Sequence, residues 1–275
     1  MFPKTTWRLI RNKPARGPWN MAVDEAILEA CGQGDVPPTL RLYAWEPACL
    51  SLGYAQPAAD VDYERLETHG WDIVRRPTGG RAILHTDELT YAVIGPHSEP
   101  RLAGSVLESY QRLSEALLKA LHLMGIPAQA QEKPAIPTGS DPKGPVCFEV
   151  PSNYEITVNG KKLIGSAQAR RRQGVLQHGS LPLYGDLTRI TQALKFGDES
   201  ERQAAATRLE TRATTAEHIL GNPLTWEQAA QAFAQAFLEV LQLDLQEGEI
   251  TPGELRRAGE LVKMKYANPE WTLRV

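Results

Sequence analysis

Cys147 stands in an irregular, proline-rich stretch, and Lys162 follows it in the strand-like segment KKLIGSAQ, Lys161 to Gln168. A thiol and an amine this close in sequence, with a tight turn folding one towards the other, could make an activated nucleophile, and the chemistry such a pair would serve is acyl transfer. A free thiol titrates near pH 8.5, so only a few per cent is thiolate at neutral pH, and a neighbouring ammonium favours the anion. A depression of about two units makes it mostly thiolate. Cys31 and Cys49 fit the plainer role of small buried hydrophobes, one at a helix end and the other at the head of an apolar strand. Cys147 sits instead between Pro145 and Pro151, where positioning matters more than packing. Strict alternation puts Lys162, Ile164, Ser166 and Gln168 on one face and Lys161, Leu163, Gly165 and Ala167 on the other. Of two adjacent lysines one is expected to project inward, and an inward lysine demands a purpose.

Two further constellations accompany the pair. In RRPTGGRAILH, Arg75 to His85, two glycines between strands permit positive φ and close approach of a ligand to the main chain. A plain hairpin turn is the simpler reading of Gly79-Gly80, but Arg75, Arg76 and Arg81 around it suggest a phosphate or carboxylate. In GSAQ, Gly165 to Gln168, small residues again allow close backbone approach and offer donors for an oxyanion. His85 and His178 are polar residues within apolar strands, which on local grounds reads as structural. Neither belongs to an HExxH or CxxC pattern, so no metal is expected.

The elements that must carry these residues are legible in outline. Asn20 caps a helix over MAVDEAILEA; TLRLYAW and ACLSLGY read as strands; Asp60 to His69 reads as a short helix closed by Gly70. DIVRR, AILH and LTYAVIG follow as short strands. Ser105 with Glu108 opens a long helix whose face is Val106, Tyr110, Leu113, Leu117 and Leu121, and Gly125 ends it. Prolines from Gln129 to Pro151 allow no regular element there. Asn159-Gly160 between YEITV and KKLIGSAQAR is a hairpin signal, and a second turn at Arg172 to Gly174 leads into VLQHGSLPL. Thr225 with Gln228, and Thr251 with Glu254 after which Pro252 stands first, open two later helices. The fold class is therefore α+β, with mixed, largely antiparallel sheets flanked by helices and a helical C-terminal part.

Composition bounds the partners. A chain of 275 residues, 42% hydrophobic, supports a large core. Thirty basic against 33 acidic residues give a net charge of −3, which speaks against nucleic acid and against a polybasic membrane surface. No apolar run approaches the roughly 20 residues that cross a bilayer, and the first residues lack a signal-peptide core, so a cytoplasmic protein is expected. Three widely spaced cysteines fit neither a disulfide framework nor a zinc site. With no coiled-coil pattern the chain is read as a monomer.

Taken in order, these segments resemble the biotinyl/lipoyl protein ligase and transferase superfamily. RRPTGGRAILH looks like its RRxxGGxxxxH signature and KKLIGSAQARRRQGVLQHGSLPL like its KxxGxAQ…HGSL signature. The likeness extends through NMAVDEAIL and LSLGYAQ, covering roughly Trp7 to Leu183, and KMKYANPEW looks like the tail of the octanoyltransferase branch. That branch carries a catalytic cysteine in a loop fifteen residues before the signature lysine, the offset of Cys147 from Lys162. The resemblance implies a ligase-like catalytic domain over residues 1–248 with a helical extension over 249–275 packed on it.

It further implies that Cys147 carries an octanoyl group received from octanoyl-acyl carrier protein, that Lys162 lowers its pKa, and that the acceptor is a lysine of glycine cleavage H protein or another lipoyl domain. Arg76, Gly79, Gly80, His85, Gly165, Ser166, Ala167 and His178 are by the same resemblance the substrate-binding set. No cofactor is implied, because a thioester arrives already activated. Where lipoate ligases show a third glycine this chain has Arg81, which would crowd a nucleotide. The alternatives are an ATP-dependent lipoate–protein ligase, an octanoyl amidotransferase between lipoyl domains, and a binding module that has lost the chemistry. Arg170, Arg171 and Arg172 at the second turn are a candidate docking edge for acidic partners.

Overall fold

The computed structural model of the chain describes residues 2–132 and 154–275. The first stretch holds β1 (Thr5–Arg11), α1 (Gly17–Gln33), β2 (Thr39–Tyr43), β3 (Cys49–Leu52), α2 (Tyr63–His69), β4 (Asp72–Arg75), β5 (Ile83–His85), β6 (Glu88–Gly95), α3 (Val106–Leu123) and β7 (Gln129–Glu132). The second holds β8 (Tyr154–Val158), β9 (Lys161–Arg171), β10 (Gly174–Pro182), α4 (Glu199–Arg212), α5 (Ala216–Leu220), α6 (Trp226–Val240), β11 (Leu243–Glu247), α7 (Pro252–Leu261) and α8 (Pro269–Thr272). A π-helical turn, Val262–Tyr266, joins the last two helices.

The strands form an eight-stranded sheet, β11-β1-β2-β6-β10-β9-β8-β7, and a three-stranded sheet, β4-β3-β5. Among the described strands, parallel ladders are those of β11–β1–β2 and β3–β4, so the mixed, largely antiparallel α+β organisation expected from sequence is what the chain adopts. One face of the large sheet packs on α3 and α6 through Leu113, Leu117, Leu121, Phe233 and Phe237. The other packs on α1, with Met21, Ile27, Ala92 and Leu176 in its core. The small sheet has its own core around Leu50, Leu52, Leu66 and Leu209.

Local chemistry explains most starts and stops. Reciprocal capping boxes, Ser105–Glu108, Thr225–Gln228 and Thr251–Glu254, each satisfy orphan N–H groups at the head of a helix. Asn159 (φ 50°) and Gly160 (φ 77°) both take positive φ between β8 and β9, the type I′ pattern that matches strand twist. Three expectations need correction. Helix α1 starts at Gly17, where Pro18 suits the first turn, and Asn20 is inside it, its amide donating to Ala15 O and Ala44 O. Val106 is 49% exposed, and Ser109 takes the buried place one turn on. The stretch read as free of regular structure begins with strand β7, because Gln129 to Glu132 precede its first proline; the rest of it to residue 151 falls outside the described residues.

Candidate functional site

A pocket of about 610 Å³ opens between the two sheets. Its large-sheet wall comes from Lys162, Gly165 and Ala167 of β9, His178 and Ser180 of β10, Thr90 of β6 and Tyr43 of β2; Met21 and Trp45 close one side. The opposing wall is Ser51, Arg76, Gly79, Gly80, Arg81, Ile83 and His85. The structure thus brings together on one cavity all the expected site residues except Cys147, which lies outside the described residues.

Lys162 reaches this wall through a defect in the ladder. Ile156 pairs with Ile164 but Thr157 pairs with Lys162, so Leu163 is an extra residue in β9. Leu163 and Ile164 therefore both enter the core beneath α3 and α6, and Lys162 turns to the pocket side with Gly165 and Ala167. This overturns the strict alternation that grouped Lys162 with Ser166 and Gln168. Bulges re-aim side chains in this way and sequence periodicity does not show them. Lys162 is 5% exposed, and its Nζ lies 3.3 Å from Oε1 of Glu155, a buried carboxylate on β8. Lys161, its neighbour, donates instead to Glu210 O on the outside. Main-chain contact holds the position: Thr214 N donates to Lys162 O.

The Gly79-Gly80 segment is not a hairpin turn. Strands β4 and β5 flank β3 and do not pair with each other, so the segment between them crosses the end of β3. Tyr54 N donates to Thr78 O, and a methyl placed at Gly53 would lie 1.8 Å from Gly80 O. Gly80 takes φ +92°, and a methyl at Gly79 would meet nothing within 4 Å, so that residue presents its main chain to open space. The surrounding cations act differently from one another. Arg75 is fully buried and donates to Gly53 O, Gln56 O and Thr272 O, which serves the fold. Arg76 lines the pocket while donating to Ser51 O, Gly79 O and Arg81 O, and so clamps the loop from within.

Each histidine is backed by a buried carboxylate; His178 ends on that same loop and His85 on Ser51 of β3. His178 Nε2 is 2.7 Å from Thr78 Oγ1, and its Nδ1 is 3.6 Å from Asp24 Oδ2. Asp24 also receives Arg41 Nη1 at 2.7 Å and the Tyr43 hydroxyl at 2.9 Å. Burial pushes the Asp24 carboxyl up, but Arg41 and His178 outweigh it and hold the group below its ordinary value. Burial pushes His178 down, against the pull of Asp24, so the imidazole is neutral at neutral pH. Ionised Asp24 beside Nδ1 favours the ring proton on that nitrogen, the tautomer in which Nε2 accepts from the Thr78 hydroxyl.

His85 stacks on Trp45 at 4.0 Å, with Nδ1 2.7 Å from Glu88 Oε1 and Nε2 2.7 Å from Ser51 Oγ. Arg76 Nη1 donates to the same Ser51 Oγ, which links His85 to the loop clamp. Burial raises the Glu88 carboxyl, but His85, Thr90 and Ser180 together bring it below its ordinary value. Ser166 also lines the pocket, although its hydroxyl is engaged by Tyr91 OH at 2.7 Å on the helix-covered face. Glu155, Asp24, Glu88, Thr78 and Ser51 were not singled out from sequence. The signal was there for the acids, each an ionisable residue within an apolar helix or strand, which burial forces to be paired.

Residues 17–238 match the family model described as the lipoyl protein ligase A/B catalytic domain. The chain belongs to that family. Its relatives include proteins named octanoyltransferase LipM, from Kyrpidia tusciae at 42% identity and from Symbiobacterium thermophilum at 40%, each spanning 98% of this chain and 99% of the relative. Among solved structures, a chain from an archaeal lipoylation system, a bi-partite lipoate protein ligase and its E2 lipoyl domain from Thermoplasma acidophilum, superposes with a TM-score of 0.81 at 26% identity. It covers 98% of this chain and 96% of its own length. A lipoate-protein ligase A bound with ATP gives 0.79 at 25% identity, with 98% of each chain covered. The RRxxGGxxxxH and KxxGxAQ segments that carried the resemblance are thus the two walls of one pocket of a lipoyl ligase-type fold.

Proposed function

We propose that this chain, an acyltransferase by its family and relatives, moves an octanoyl group from octanoyl-acyl carrier protein through a thioester on Cys147 to a lysine of a lipoyl-domain protein, glycine cleavage H protein being the expected acceptor. The observation that carries this reading is the pocket between the sheets, apolar at Met21, Trp45 and Ile83 and bearing an inward lysine on its β9 wall. A saturated eight-carbon chain needs the first feature, and a thiolate nucleophile needs the second.

Among the described residues Cys31 and Cys49 are both buried thiols, Cys31 pushed up to about 12 by burial and Cys49 well above its ordinary value for the same reason. Neither suits a nucleophile, which supports assigning that role to Cys147. In the first step the Cys147 thiolate attacks the carrier thioester, the new C–S bond forms, and the carrier thiolate leaves and takes up a proton. In the second, the neutral amine of the acceptor lysine attacks, its proton passes to solvent, and Cys147 thiolate departs. One thioester exchanges for another at nearly equal energy and then yields a stable amide, so neither ATP nor another cofactor is required. Among the described residues the pairing of β8 with β9 ends at Ile164, while β10 pairs with Gly165 to Ala167 on the other edge, which supports the main-chain N–H groups of this stretch that face away from β10 as donors to the oxyanion.

Arg76, Gly79, Gly80, His85 and His178 form the acyl pocket in this reading, the histidines by fixing its loop. The catalytic domain spans residues 1–248, residues 249–275 are an extension packed on it, and the reaction takes place in the cytoplasm. Among the described residues no helix is long and apolar enough to cross a membrane. The test is turnover without nucleotide. Purified chain, octanoyl-carrier protein and H protein should give octanoyl-lysine in the absence of ATP, and a strict requirement for ATP overturns the reading.

A further inference from the structure

Arg171 closes strand β9 and Arg274 lies in the segment after α8, yet both guanidiniums come to one ring. Arg171 Cζ is 5.0 Å and Arg274 Cζ 3.8 Å from the centroid of Tyr54, a residue of the pocket wall that is 37% exposed. Among the described residues each guanidinium donates to one carbonyl, Arg171 to Pro77 O and Arg274 to Tyr54 O, besides its contact with the Tyr54 hydroxyl, and Arg274 Cζ also lies 4.1 Å from the Trp271 ring centroid; N–H donors remain unspent on both. Both side chains are exposed, and among the described residues neither pairs with a carboxylate, although the chain as a whole is acidic. The Tyr54 hydroxyl is held below its ordinary value by hydrogen bonding and charge from Arg274 and then by Arg171. Stacking on the ring accounts for where the guanidiniums lie. It does not account for two like charges gathered on one tyrosine at the opening of an acyl pocket.

Resting on the function proposed above, we propose that Arg171, Arg274 and Tyr54 form an anion seat that takes the phosphodiester of the donor's phosphopantetheine arm. An acyl group delivered on such an arm enters thioester first, so the phosphate arrives last and stays outside the pocket. Two guanidinium forks bind a phosphate through several parallel N–H···O contacts, where an acidic protein face would need charges spread over a wider area.

The experiment compares acylation of the chain by S-octanoyl-4′-phosphopantetheine and by S-octanoyl-pantetheine, which lacks the phosphate, alongside octanoyl-carrier protein. Wild type should prefer the phosphorylated donor in kcat/KM. In Arg171→Gln/Arg274→Gln the ratio of the two kcat/KM values should fall about ten-fold, the loss of one charge-assisted contact or more, and the double lysine variant should recover much of it. An unchanged ratio overturns the seat, as does a defect confined to transfer onto the lipoyl-domain acceptor. No acylation of wild type by any of the three donors would instead contradict the octanoyl-transfer reading on which the seat rests.

Discussion

Lys162 is a buried cation whose ammonium has a carboxylate beside it, and that changes how its role is tested. Removing one member of a buried ion pair costs about 3–5 kcal/mol, so Lys162→Ala alone mixes lost chemistry with lost stability. Glu155→Gln should lower the unfolding free energy by an amount in that range. The pair replacement Glu155→Gln/Lys162→Met should recover most of it while leaving Cys147 acylation slow. Full recovery of acylation in the pair variant would contradict a role for the ammonium. Acid sensitivity is also set by single residues. His178 is held below 6.5, so its neutral form stabilises the fold fully above that pH, and the contribution is lost as pH falls through the lower folded value. Asp24 and Glu88, held below 3.8 and 4.5, contribute fully above those values and lose their contribution only on further acidification. Urea midpoints measured from about pH 8 down to about pH 3 should fall in two stages, and His178→Gln should remove the earlier one. A single acid transition in both proteins would contradict this. Lys162 was visible in the sequence as one of two adjacent lysines. Glu155 and Asp24 were visible only as acids within apolar elements, and their partners were not, because partnership between residues on different elements leaves no local pattern.

The loop from Thr78 to Arg81 shows what an element can owe to its neighbours. Its motif was plain in the sequence, but as glycines between two strands it fitted a hairpin, and only the strand order β4-β3-β5 makes it a crossing over the end of β3. Two glycines at that crossing have different duties. Gly53→Ala puts a methyl against Gly80 O with backbone on both sides, and overpacking of this kind should cost about 1–3 kcal/mol and displace the loop. Gly79→Ala meets open space, so its melting temperature should match wild type while its KM for the octanoyl donor rises several-fold. Measuring both by calorimetry and steady-state kinetics separates fold from pocket, and a large stability loss in Gly79→Ala would contradict the assigned geometry. Other elements were legible for definite reasons. Capping boxes and Asn-Gly announce themselves within four residues, whereas β1 and β11 were missed because their pairing joins segments more than 230 residues apart. The bulge at Leu163 was invisible for the same reason: register belongs to a pair of strands.

On the scale of the whole molecule, three cores hold two sheets apart by the width of one pocket, and each signature segment contributes a wall. The C-terminal segment is tied into this frame, since Thr272 O accepts from Arg75 and Trp271 Nε1 donates to Arg75 O, the residue at the end of β4 from which the glycine loop departs. Composition indicated a large core and spoke against a nucleic-acid surface, yet it said nothing of where the sheets separate, because a cavity arises from how layers are spaced. The central claim is that an octanoyl group passes through Cys147. Intact-mass measurement after mixing the chain with octanoyl-acyl carrier protein, without ATP or acceptor, tests it most directly. The account predicts a gain of one octanoyl group that is released by hydroxylamine, is absent in Cys147→Ala, and disappears when a lipoyl-domain protein is added. An adduct that persists in Cys147→Ala, or acceptor octanoylation by that variant at the wild-type rate, would contradict it.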